Sequence, residues 1–183
     1  MWNGKKKAIT FSFDDGVLQD IRTIEILDKY GLKCTFNLNS EFLGLSGTLD
    51  RNGHIVRHDK IAREKIKEVY GNHEVAVHTL THPFLPSLEK DEIIRQVETD
   101  RLNLSEICGY EVKTMAYPCG GENNDDRVAE IIKENTGVKF ARGLESTYNF
   151  DLQDNLYRFK PTVYYIEDCL DEVVDRFLSL DRD

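Results

Sequence analysis

Short β-prone runs alternate with helical patterns along nearly the whole chain, and that alternation limits the fold more than any other feature. Residues 8–13 (Ala-Ile-Thr-Phe-Ser-Phe) predict a strand closed by the turn sequence Asp14-Asp15-Gly16. Asp20 is the expected N-cap of a helix over 21–30, with Ile21, Ile24 and Leu27 on one face and Gly31 as its stop. Residues 33–38 read as a second strand. Strand, helix, strand is a βαβ unit, which implies parallel pairing.

The pattern breaks over 41–58, where Asn52-Gly53 between Leu49 and Ile55-Val56 predicts a hairpin inserted in a loop. It then resumes. A helix capped by Asp59 runs to Tyr70, a strand covers 74–78, a helix capped by Ser87 covers 89–107, and a strand covers 112–117. A helix over 125–134, a strand over 138–142, a short strand over 156–159 and a helix over 168–180 complete the chain. Its 183 residues suit one domain, and neither a linker nor a repeat divides them. The expected fold is a single α/β domain over 1–183, barrel-like or doubly wound.

A net charge of −9 argues against nucleic-acid and anionic-membrane partners, which need clustered Lys and Arg. Lys5-Lys6-Lys7 reads as a solvated flank. Cys34, Cys108, Cys119 and Cys169 form no Cys-x-x-Cys pair. No apolar run reaches membrane-spanning length and the start lacks a signal-peptide core, so a cytoplasmic protein is expected, although a fragment of a secreted parent would read the same way.

The chemistry-bearing residues fall at the C-terminal ends of the expected strands, the edge where parallel α/β folds bind ligands. Asp14 and Asp15 follow the first strand. Adjacent carboxylates on extended backbone point apart, so one can bind a metal while the other serves as a base. His78 ends the third strand, and His82 lies four residues on, on a loop because Pro83 disfavours helix. Two imidazoles and one carboxylate with an open position form a catalytic metal pattern rather than a closed structural one. Turn formation explains the aspartates, and surface or capping roles the histidines, if each pair is taken alone.

Together, Thr10-Phe11-Ser12-Phe13-Asp14-Asp15-Gly16 and His78-Thr79-Leu80-Thr81-His82 resemble the first two motifs of the polysaccharide deacetylases, the NodB-homology group called carbohydrate esterase family 4. Gly71-Asn72-His73-Glu74-Val75 also looks like that family, and the resemblance runs over about residues 7–145. It implies an irregular (β/α) barrel of the NodB type that removes acetyl groups from N-acetylated saccharides such as chitooligosaccharides or peptidoglycan, or O-acetyl groups from xylan. It implies Asp14 as general base, and Asp15, His78 and His82 as ligands of one divalent metal, zinc first with cobalt or nickel as substitutes. The metal acidifies water and polarises the carbonyl. Ala116-Tyr117-Pro118-Cys119-Gly120 stands at the third motif, making the Cys119 N–H the candidate oxyanion donor, with Tyr117, Pro118 and Arg142 around it.

The chain departs from the family pattern at three places. Ala116 stands where the family has an arginine that holds the catalytic aspartate, and Arg142 is the candidate replacement. Cys119 replaces an aromatic, and as a nucleophile it would need a thiolate-activating partner that the sequence does not assign. No histidine follows Phe159 to act as acid, so the domain is expected to be C-terminally incomplete, without its final strand or strands, and if so this chain is expected to bind metal with weak or no turnover. A silent metal- or sugar-binding domain, and a deacetylase of small amides or O-acetyl esters, are the alternatives. His54 and His58 belong to the hairpin, and His73 is expected to be structural.

Overall fold

The computed structural model describes residues 5–181. Five strands form one all-parallel sheet: β1 (Phe11–Asp14), β2 (Cys34–Leu38), β5 (Glu74–Val77), β6 (Thr114–Ala116) and β7 (Phe140–Arg142). Their spatial order follows their chain order, so each new parallel strand adds to the same side. A doubly wound sheet reverses direction at a switch point. This one does not, which selects the barrel-like alternative.

The sheet also curls. Laid flat at the usual spacing, five strands would hold β1 and β7 about 19 Å apart. Yet Arg142 on β7 pairs with Asp14 on β1, and its Nε donates to Ser12 Oγ at 3.2 Å. An arginine side chain cannot bridge a flat sheet, so the two edges wrap toward each other into a half-barrel.

The helices cover the sheet. α1 (Asp20–Lys29), α2 (Ile66–Tyr70), α3 (Lys90–Ile94), α4 (Asp100–Cys108) and α5 (Asp126–Asn135) lie between the strands, and α6 (Leu170–Ser179) follows them. Phe36, Leu38, Val75, Val77, Met115, Val128 and Ile132 are among the buried side chains between sheet and helices. Along β1 and β2 the side chains alternate: Phe11, Phe13, Cys34, Phe36 and Leu38 belong to the apolar core, while Ser12, Asp14 and Asn37 bond to one another and to Arg142. Among the described residues, no helix is long and apolar enough to cross a membrane.

The hairpin is β3 (Thr48–Arg51) paired antiparallel with β4 (His54–Arg57), both largely exposed. Asn52 and Gly53 both have positive φ, 57° and 83°, as a two-residue hairpin turn of this kind requires.

Several local expectations are corrected. The first strand begins at Phe11 rather than Ala8. Asp20 does not cap α1; it is the helix's first residue, and its buried carboxylate accepts the Tyr70 hydroxyl at 2.7 Å. Asp59 caps nothing either. It accepts the Gly47 N–H at 3.1 Å and pairs with Arg57 at 2.5 Å, and the helical segment begins only at Arg63, as a 3₁₀ turn leading into α2. Ser87 donates to the Phe84 carbonyl instead of capping α3. A π-helical turn at Arg95–Thr99 separates α3 from α4. The last expected strand reduces to a single parallel bridge from Phe159 to Arg142. Asp125, expected inside the helix over 125–134, instead caps α5 from outside, accepting the Val128 N–H at 2.7 Å.

Candidate metal centre

Four residues around the strand ends have left-handed backbone: Asp15 (φ 82°), Thr79 (φ 68°), His82 (φ 56°) and Cys119 (φ 68°). Such φ is uncommon outside glycine, and strain of this kind gathers at functional sites. At β1 it turns the chain sharply between Asp14 and Asp15. The following Gly16 is also left-handed, and a Cβ there would meet Leu38 Cδ2 at 2.7 Å, so a side chain would strain the turn and displace Leu38. At β5 the strain is held by a polar clasp. Asn39 Nδ2 donates to the carbonyls of His78 and Thr79 at 2.6 and 2.9 Å, and Thr79 Oγ1 accepts the His82 N–H at 3.1 Å. Buried Asp100 props the same turn, accepting the backbone N–H of Ser40 at 2.7 Å and of His78 at 3.2 Å.

Asp15, His78 and His82 converge. One ligand atom from each lies within 4.8 Å of the others. His78 Nδ1 sits 2.9 Å from the Ala116 carbonyl, which can only accept, so Nδ1 donates there and Nε2 is the nitrogen turned toward the cluster. The Cys119 N–H points at His82 Nε2 from 3.5 Å, marking that nitrogen too as an acceptor. Burial acts to raise the Asp15 pKa, but the combined fields of His78, Lys60, His82 and His58 outweigh it and hold the carboxyl below its ordinary value. Burial, with His78 next, pushes His82 down. One carboxylate and two imidazoles gathered at one point are donors that a divalent cation takes, so this donor set fits one.

Asp14 faces a different set of groups. Its Oδ1 accepts from Asn37 Nδ2 at 2.9 Å and pairs with Arg142, both on Oδ1, which leaves Oδ2 to accept a proton. Arg142, the candidate replacement for the missing third-motif arginine, is thus paired with Asp14. Tyr117 is buried and donates its hydroxyl to the Tyr157 carbonyl at 2.7 Å, so what it offers the site is backbone. Pro118 is buried, and half-buried Cys119 follows it. Cys119 Sγ does have a histidine neighbour, His82 Nδ1 at 3.7 Å. Burial and the Asp15 charge nevertheless push the thiol's pKa up, the opposite of what a nucleophile needs. His73 is buried edge-on to Phe36, in keeping with a structural role.

Sequence reasoning missed two members of the cluster. His58 Nε2 lies 3.3 Å from Asp15 Oδ2, and Lys60 Nζ lies 3.4 Å from Asp15 Oδ1. Both come from the return arm of the hairpin. The arm folds back on the β1–α1 loop through the bonds Leu18 N–H to Asp59 O and Ile61 N–H to Gly16 O, each 2.9 Å. No periodic pattern signals that contact.

A family model described as "Polysaccharide deacetylase" matches residues 2–140. No curated protein matches the sequence significantly. Among solved structures, the Streptococcus pyogenes deacetylase PplD in complex with acetate is similar at TM-score 0.67 and 17% identity, over 86% of this chain and 65% of that one. BC0361, a polysaccharide deacetylase from Bacillus cereus, is similar at TM-score 0.68 and 21% identity, over 87% of this chain and 48% of that one. A de-N-acetylase from Aggregatibacter actinomycetemcomitans is similar at TM-score 0.69 and 14% identity, over 94% and 76%. This chain therefore spans about 65% and 48% of the lengths of the first two. These likenesses give the fold, a NodB-type half-barrel that lacks the final strands among the described residues. With most of the chain matched by the family model and both sequence motifs gathered at one rim of that sheet, the protein belongs to the polysaccharide deacetylase family.

Proposed function

We propose that this chain is a metal-dependent deacetylase acting on the acetamido group of an N-acetylated saccharide, chitooligosaccharide or peptidoglycan in type. The observation that carries the reading is the cluster of Asp15, His78 and His82 within 4.8 Å, beside a second carboxylate held separately by Arg142. Asp15, His78 and His82 would hold one divalent ion, zinc first with cobalt or nickel as substitutes. That ion would supply a Lewis acid for the acetyl carbonyl and would acidify water.

The chain's own groups do the rest. Asp14 takes the water proton on Oδ2 while Arg142 and Asn37 fix Oδ1. In this reading the Cys119 N–H, which points at His82 Nε2, donates to the oxyanion. The similarity to PplD, a deacetylase solved with acetate, supports acetate as the product here. The test is acetate release from a panel of chitooligosaccharides and peptidoglycan fragments, with and without chelator. Release that stops on chelation is expected, and no release from any member overturns the reading.

A further inference from the structure

The hairpin brings a positive charge to a site whose other features suit a cation. The Lys60 ammonium donates to the Asp15 carbonyl at 2.8 Å and sits 3.4 Å from Asp15 Oδ1, the same oxygen that faces His82 Nε2 at 3.8 Å. Its side chain is only 8% exposed. Its backbone is equally fixed, by the Lys60 N–H bond to the Leu45 carbonyl at 2.8 Å and by an antiparallel bridge to Val17. An ordinary surface lysine swings into water at little cost, and this one cannot.

We propose that Lys60 is a built-in counter-cation of the metal centre: it neutralises Asp15 when the site is empty, and it opposes the divalent ion when the site fills. The inference rests on the reading of Asp15, His78 and His82 as metal ligands. Its physical basis is simple. Like charges a few ångströms apart in a partly buried site repel strongly, because little water intervenes to screen them. The ion therefore gains the carboxylate only against the ammonium already beside it. Lys60 becomes a positioning residue that lowers metal affinity while steadying the metal-free fold. The site then loads at higher free metal than its three ligands alone would require.

A purely structural lysine would behave differently. Removing it would weaken the fold with and without metal and leave the affinity unchanged. A lysine that holds Asp15 in its ligating pose would give weaker binding when removed. The three cases separate by sign.

The experiment uses the full chain, its Lys60→Met and Lys60→Gln variants, and zinc or cobalt alone as the probe. Lys60→Gln retains a donor for the Asp15 carbonyl, so it guards against a folding defect in Lys60→Met. Calorimetry gives the dissociation constant, the visible spectrum of the cobalt form reports the ligand set, and melting is followed with and without metal. The expected result is affinity at least tenfold tighter in both variants, with an unchanged cobalt spectrum. The metal-free melting temperature falls while the metal-induced rise grows. Unchanged or weaker affinity in both variants overturns the proposal and leaves the metal site standing. No metal uptake by the unaltered chain overturns the site and this inference together.

Discussion

Asp14 and Asp15 share a peptide bond, but the regions around them are built in different ways. The Asp14 side is made by the sheet: Ser12 on its own strand, Asn37 on the next, and Arg142 on the far edge, brought round by the curl. The Asp15 side is made by loops: His78 and His82 after β5, and His58 and Lys60 from the hairpin arm. One side offers a fixed carboxylate with one oxygen left over. The other offers a carboxylate in a ring of nitrogen groups. Two adjacent acids thus acquire different chemistry through a single left-handed residue and the glycine after it.

The largest expected effect comes from breaking the two sides separately. Asp14→Asn should lower acetate release by about a thousandfold, the scale of losing a general base, with the bound metal retained. His78→Ala should lose the metal itself. Elemental analysis beside a rate assay checks both. If Asp14→Asn also sheds metal, the division of labour between the two aspartates is wrong.

A third carboxylate lies behind Asp15 and sharpens the contrast. Burial pushes Asp20 up to about 7 from an ordinary 3.8, outweighing the bond from Tyr70. Its folded-state pKa exceeds its unfolded one, so folding favours the protonated form. The contribution is fully present below about pH 4 and is lost as pH rises toward about 7. Asp20→Asn retains an acceptor for the Tyr70 hydroxyl and removes the ionisation. Denaturant titrations should therefore show the variant more stable than the parent above pH 7, by on the order of 2–4 kcal/mol, with the gap closing in acid. A gap independent of pH would refute the burial argument.

The two sides also differ in how legible they were. Asp14, Asp15, His78 and His82 sit at strand ends inside short motifs, and strand ends follow from local apolar runs. Arg142 could be placed at a strand end as well, although its partner depended on a curl that no window of sequence encodes. His58 and Lys60 were not legible as site residues. An Asn-Gly turn announces a hairpin but says nothing about where its return arm will pack. Asp20 and Asp59 were misread for a related reason. An acid before a helix has the same local signature whether it caps the helix or turns inward to a tyrosine, as Asp20 does, or outward to an arginine, as Asp59 does.

The Asp14 side can be loosened without touching either aspartate. Arg142 is only 10% exposed in its side chain, and it joins the two edges of the curled sheet. Arg142→Ala leaves Asp14, 27% exposed, with Asn37 alone and removes the tie to Ser12. Breaking a fully buried pair costs more than this, and the partial exposure of Asp14 lets water recover some of the loss. A decrease of about 2 kcal/mol by thermal or denaturant melting is the expected size. Arg142→Lys restores a charge but not the two-pronged reach to Asp14 and Ser12, so it should recover only part of that loss. Metal affinity should hold in both variants, because the proposed ligands sit on the loop-built side. If Arg142→Ala lowers metal affinity as much as it lowers stability, the two sides form one unit, and the separation drawn from their geometry fails.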